Sequence, residues 1–84
     1  MKEQKRLKNE RKYENWKELP SGGRLYRYDV KGRSGWYSSY IKEVDNRENT
    51  IRFFQEVYDG NGRLIEIHHK YYLRILDTHL HYNT

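Results

Sequence analysis

The 84-residue chain contains no cysteine, one proline and two phenylalanines. Without thiols it has no disulfide framework and no thiolate metal site, and this composition suits a reducing compartment, so the sequence reads as cytoplasmic. No apolar run approaches the ~18 residues that cross a bilayer. The charged start Met1-Lys2-Glu3-Gln4-Lys5 lacks the apolar stretch of a secretory signal, and no membrane partner is expected. Walker loops and GxSxG, HExxH and GxGxxG patterns are also missing, so neither a nucleotide cradle nor a cofactor is expected. A chain of this size buries roughly 60–65% of its unfolded surface, enough for a modest core and too little for a deep enclosed active site.

Charge and tyrosine are plentiful. The net charge is +5, and its location matters more than its size. Residues 1–12 carry six bases, Lys2, Lys5, Arg6, Lys8, Arg11 and Lys12, against Glu3 and Glu10. The remaining 72 residues hold 11 bases and 10 acids and are nearly neutral. Nine tyrosines suit a half-wet sheet, where a ring is buried while its hydroxyl stays hydrated.

The most defined local signal is Tyr58-Asp59-Gly60-Asn61-Gly62-Arg63-Leu64, a reversal between two β-patterned runs, Ile51 to Tyr58 and Arg63 to His69. Ile51, Phe53 and Val57 share a face of the first run, as do Ile65 and Ile67 of the second. A three-residue loop joins those faces: Asp59 starts a type I turn over Gly60 and Asn61, and Gly62 takes the left-handed position of a G1 bulge. This register opposes Val57 to Ile65, Glu56 to Glu66, Phe54 to His68 and Arg52 to Lys70.

Upstream, residues 1–10 are expected to form a basic, disordered arm, and residues 11–84 one small β-rich domain. Like charges at helical spacing disfavour order at the start, so a short helix is expected only from about residue 11, docking through Tyr13 and Trp16. Leu19-Pro20 ends it, and Ser21-Gly22-Gly23 turns the chain. Arg24 to Lys31 alternates as a strand, Gly32-Arg33-Ser34-Gly35 reverses it, and Trp36 to Asp45 returns. An odd loop there sets Val30 against Trp36 and Tyr26 against Tyr40. Asp45-Asn46-Arg47-Glu48-Asn49 is turn chemistry leading into the hairpin.

The expected fold is α+β: a four-stranded antiparallel β-meander with a short N-terminal helix. Tyr72, Leu73, Leu76 and Leu80 fit a short C-terminal helix, and Tyr71 to Leu76 equally fit an extended strand. The expected inward face holds Tyr26, Tyr28, Val30, Trp36, Tyr40 and Val44, continued by Ile51, Phe53, Val57, Ile65 and Ile67.

Three chemistries are open to these residues. The first is nucleic-acid binding, with Lys5, Arg6, Lys8, Arg11 and Lys12 of the arm neutralising phosphates, joined by a sheet face bearing Arg27, Arg52, Phe54 and His68. Its partner is RNA or another single strand. The second is a ribonuclease-like site with Glu56 or Glu66 as base, His68 as acid, and Arg52 or Lys70 stabilising the phosphorane; a solvated face of mixed charge accounts for the same residues. The third is a metal site from His68, His69, His79 and His81. His68 and His69 point to opposite faces of a strand, and His79 with His81 supplies only two ligands, so no metal is expected. A sheet edge also offers a protein partner a place to add a strand.

The segments Gly23-Arg24-Leu25-Tyr26-Arg27-Tyr28-Asp29, Tyr40-Ile41-Lys42-Glu43-Val44-Asp45 and Tyr58 to His68 resemble a group of small, uncharacterised prokaryotic proteins, a resemblance that covers residues 16–70 and implies no known activity. The Tyr-Asp-x-x-Gly-Arg-Leu piece also resembles one YD-repeat hairpin, which bears on turn geometry alone. A helical start followed by an antiparallel sheet is similar in outline to the RelE-type ribonuclease toxins. That likeness is one of architecture and transfers no catalytic residue.

Overall fold

Residues 1–73 are described by the structure, a computed structural model. The chain runs through helix α1 (Lys2–Tyr13), strands β1 (Asn15–Glu18) and β2 (Arg24–Lys31), a 3-10 turn (Arg33–Gly35), and strands β3 (Tyr37–Val44), β4 (Thr50–Tyr58) and β5 (Leu64–Tyr72). The strands lie in sequence order in one antiparallel sheet. The α+β class and the meander are as expected, with five strands rather than four.

The additional strand is β1, where a helix carrying Trp16 was expected. Glu14 takes a left-handed conformation (φ 61°) that ends α1 two residues before Trp16. The chain then extends, and Trp16 pairs with Tyr26 and Glu18 with Arg24. Leu19-Pro20-Ser21-Gly22-Gly23 is therefore a hairpin turn, with Leu19 N–H donating to the Gly23 carbonyl at 2.9 Å and Gly22 at φ 90°. Gly23 has no room for a side chain, since a Cβ would overlap the Val44 carbonyl oxygen.

Residues 1–10, expected to be disordered, form most of α1. Tertiary contacts outweigh the like-charge spacing. Asn9 and Tyr13 are buried, and the Tyr13 ring lies 5.6 Å from Tyr26 and 5.3 Å from Tyr28. Tyr13, Tyr26 and Val44 form the core, with Tyr28 and Phe53 packed against it.

Strand parity follows expectation up to β4, but register does not. β2 and β3 pair Tyr26 with Lys42, Tyr28 with Tyr40 and Val30 with Ser38, two residues from the expected alignment. The loop closes as Gly32 N–H donates to the Trp36 carbonyl at 2.7 Å, which leaves Trp36 outside β3. A two-residue slip preserves faces, so Tyr26, Tyr28, Tyr40 and Val44 still share the helix side.

The Asp59 turn has the expected geometry: Asp59 N–H donates to Arg63 O and Gly62 N–H to Asp59 O, both at 3.0 Å, and Gly62 has φ 81°. Tyr58 pairs with Leu64, in line with the register that sets Val57 against Ile65, but Ile65 is then bulged out. Val57 consequently faces Glu66, Glu56 faces Ile67, Gln55 faces His68 and Phe54 faces His69. A second bulge at Lys70 pairs Phe53 with Tyr71 and Arg52 with Tyr72. Every residue of β5 is exposed, Ile65 and Ile67 included, so no burial holds those isoleucines to the inward face. Val30 and Trp36, also expected inside, are exposed.

Tyr71 and Tyr72 belong to β5, and Leu73 N–H donates to the Ile51 carbonyl at 2.7 Å. The rest of the expected C-terminal helix, with Leu76 and Leu80, lies outside the described residues, as do His79 and His81. No helix of the described residues is long and apolar enough to cross a membrane.

Candidate nucleic-acid interface

β-strand alternation places Lys42 between Tyr40 and Val44 on the side of the sheet that α1 covers. There it is half-buried, donates to Asn9 Oδ1 at 2.9 Å and lies 5.9 Å from the Tyr13 ring centre. Burial lowers the Lys42 pKa below the ordinary lysine value. The positive charges of Lys12 and Lys5 push it further down, against the pull of Glu48.

Glu48 is the counter-charge nearest this spot, and it is already engaged. It is buried at 2% exposure, accepts from the Tyr26 hydroxyl and from Asn9 Nδ2 (3.3 Å), and pairs with Arg6 Nε at 3.4 Å. Lys5 Nζ donates to Asn49 Oδ1 at 3.0 Å, which carries no charge. Among the described residues Lys5, Lys8, Lys12 and Lys42 have no carboxylate within ion-pair distance, and neither does Arg11. A cleft of about 230 Å³ between α1 and the β3–β4 turn is lined by Lys5, Lys8, Asn9, Lys42, Glu48 and Asn49. Three ammonium groups gathered round a cleft whose one acid, Glu48, already pairs with Arg6 attract an anion, and a phosphate meets that chemistry.

Beside this basic flank runs a strip of rings across β2, β3 and β4. Tyr28 stacks on Tyr40 at 5.1 Å, and Tyr40 on Phe53 at 6.2 Å, all three half-buried.

The sheet residues expected to join the arm are elsewhere. Arg27, Arg52 and Phe54 occupy the face opposite α1, so they form no continuous surface with the basic helix. Their charges are also balanced: Arg52 Nε sits 2.7 Å from Glu43, while Arg27 lies 3.6 Å from Asp29 and 3.7 Å from Glu56. Arg52 covers the Phe54 ring at 4.6 Å, and His69 takes the place beside Phe54 that was expected for His68. His68 is on the helix side opposite Gln55, 3.5 Å from Glu66. Of the expected acid–base constellation only Glu66 and His68 stay together, because the bulge at Ile65 puts them on the face away from Glu56 and Arg52.

Sequence reasoning missed Lys42 and Glu48, although both leave a signal. A lysine at an inward position among Tyr40 and Val44 requires a polar partner or an anion. Glu48 falls in Asp45-Asn46-Arg47-Glu48-Asn49 where the analogous Asp59-Gly60-Asn61-Gly62-Arg63 has glycine.

These features define a small two-layer α+β domain, one helix on a five-stranded antiparallel sheet. Comparison with family models, curated proteins and solved structures gives no match.

Proposed function

We propose that this domain binds single-stranded nucleic acid, RNA foremost, along the groove between the lysine flank of α1 and the sheet. The carrying observation is the convergence of Lys5, Lys8, Lys12 and Lys42 without an ion-pair partner among the described residues. Such uncompensated charge suits a phosphodiester backbone, and the aromatic strip beside it offers apolar surface to unpaired bases.

The test is titration of a labelled single-stranded RNA across salt concentrations, with the parent chain and a Lys8→Gln/Lys12→Gln variant. Each phosphate contact in a single strand contributes a slope of roughly 0.7 in log affinity against log salt, so the variant is expected to lose about 1.4. An unchanged slope, or no binding by the parent, sinks this reading.

One observation favours a protein-interaction role instead. β5 is an outer strand, exposed throughout, with Leu64, Ile65, Ile67 and Tyr71 on show, which suits addition of a partner strand. That reading expects salt-insensitive association, measured by sedimentation, that is weakened by Ile67→Lys.

A further inference from the structure

Far from the lysine cleft, at the other end of β3, Trp36 stands exposed at 42%. Six residues of extended chain separate it from Lys42, roughly 20 Å at ~3.3 Å per residue. Two clefts of about 360 and 470 Å³ meet at its side chain. The first continues to Ser38 and Val57 on the helix side of the sheet, and the second to Asp29 and Lys31 on the opposite side. Glycines at 32 and 35 keep the approach to the indole low.

The loop that carries Trp36 is held in place. Gly32 N–H donates to Trp36 O at 2.7 Å and Trp36 N–H to Arg33 O at 2.9 Å. Ser34 (φ 55°) and Gly35 (φ 81°) are consecutive left-handed residues. The loop also abuts the Asp59 turn so closely that a Cβ on Gly60 would lie 2.8 Å from Ser34 O. An exposed tryptophan on a braced loop is preorganised, and stacking on it costs little side-chain entropy.

The charged side chains lining the two clefts are Lys31, Arg33 and one acid, Asp29. Lys31 and Arg33 have no ion-pair partner among the described residues, and the nearby Asp29 is occupied by Ser39 Oγ–H at 2.6 Å and Arg27 Nε at 3.6 Å. A flat aromatic face flanked by free cations matches a base with its own phosphate.

We propose that Trp36 is a base-stacking position, with Lys31 and Arg33 taking the adjacent phosphates, for a single strand whose other end lies over the Lys5/Lys8/Lys42 cleft. This rests on the nucleic-acid reading above and adds a second, base-dependent contact to it.

The test uses the full chain in a Trp16→Phe background, so that Trp36 is the sole tryptophan, with single-stranded octa-adenylate as the probe. Saturating RNA is expected to quench Trp36 emission. Trp36→Ala is expected to weaken binding about 10-fold with an unchanged salt slope, Trp36→Phe to retain most of the affinity, and an abasic strand to bind the parent and Trp36→Ala alike. Quenching is read without altering Trp36, so it decides the matter even where the alanine variant is poorly folded. If the parent binds through its lysines but emission is unchanged and Trp36→Ala stays within twofold, the stacking site is wrong and the lysine reading stands. If the parent does not bind at all, both fall.

Discussion

Glu48 holds φ 69° in the turn position that Gly22 and Gly62 occupy in the two sister hairpins. A side chain in that region costs about 1 kcal/mol, and the buried hydrogen bonds to Tyr26 and Asn9, with the half-buried one to Arg6, offset it. Glu48→Ala strands the Tyr26 hydroxyl and the Asn9 amide, so urea denaturation should show a loss of about 2–3 kcal/mol. Glu48→Gly should recover roughly 1 kcal/mol of it by relaxing the backbone. A change under about 0.5 kcal/mol for the alanine variant removes Glu48 as an anchor. Two tyrosines report on the same core. Burial pushes Tyr13 up to about 12, and burial with the Glu48 hydrogen bond pushes Tyr26 to about 12 against the pull of Arg24. Unfolded tyrosine ionises near ~10, so their contribution to stability is complete below that pH and is lost as pH rises through about 12. Absorbance at the phenolate band is expected to show late ionisation of these two, coupled to alkaline unfolding. Early, uncoupled titration of every tyrosine contradicts it.

Among the elements, α1 is the one whose role changes most between pattern and fold. Its N-terminus has no side-chain cap and its apolar stripe is weak. Besides the buried Tyr13 ring, polar contacts across the domain hold it, through Arg6 and Asn9 to Glu48, Lys42 to Asn9, and Glu10 to Arg24 Nη1 at 2.8 Å. Arg24 also lies with its Nε 2.7 Å from Glu18, close enough for charge pairing although not aligned as a hydrogen bond. A chain beginning at Tyr13 would take Arg6 and Asn9 away from Glu48. Removing the partners of a buried charge costs roughly 3–5 kcal/mol, comparable to the whole stability of a small domain. Such a chain should show no cooperative thermal transition by circular dichroism, whereas Lys8→Gln/Lys12→Gln should melt within about 3 °C of the parent. A sharp transition in the shortened chain contradicts the anchoring role. Charge substitution, not truncation, is thus the clean probe of binding by α1.

Over the whole molecule the sheet separates two surfaces of different character. Its thickness, with extents of 42 × 38 × 20 Å, is that of one sheet and one helix layer, so the face opposite α1 has no covering layer among the described residues. That face neutralises itself through Arg52–Glu43, Arg27–Asp29 and the Tyr58 hydroxyl on Glu56 at 2.7 Å, with Tyr37 and Tyr58 stacked at 4.8 Å. Among the described residues the helix side keeps its lysines uncompensated. An Arg52→Gln/Phe54→Leu variant should therefore bind single-stranded RNA within about twofold of the parent, because Arg52 already has a carboxylate partner. A tenfold loss in a filter-binding assay would move the interface to the opposite face.

Residue patterns alone determined the β2, β3 and β4 alternation, the Asp59 turn and the concentration of base in the first 12 residues. Those features rest on local physics: side chains alternate along a strand, and Gly62 takes a positive φ without a Cβ clash. β1 was not legible, because Asn15-Trp16-Lys17-Glu18 has no alternation of its own and becomes a strand only by pairing with β2. The β5 register escaped for the reason already seen in its exposure, since no buried side chain pins it. Which lysines stand without a counter-charge among the described residues was decided by tertiary structure alone. Glu48 meets Arg6 across 42 residues of sequence and Asn9 meets Lys42 across 33, and contacts of that range leave no periodicity to read.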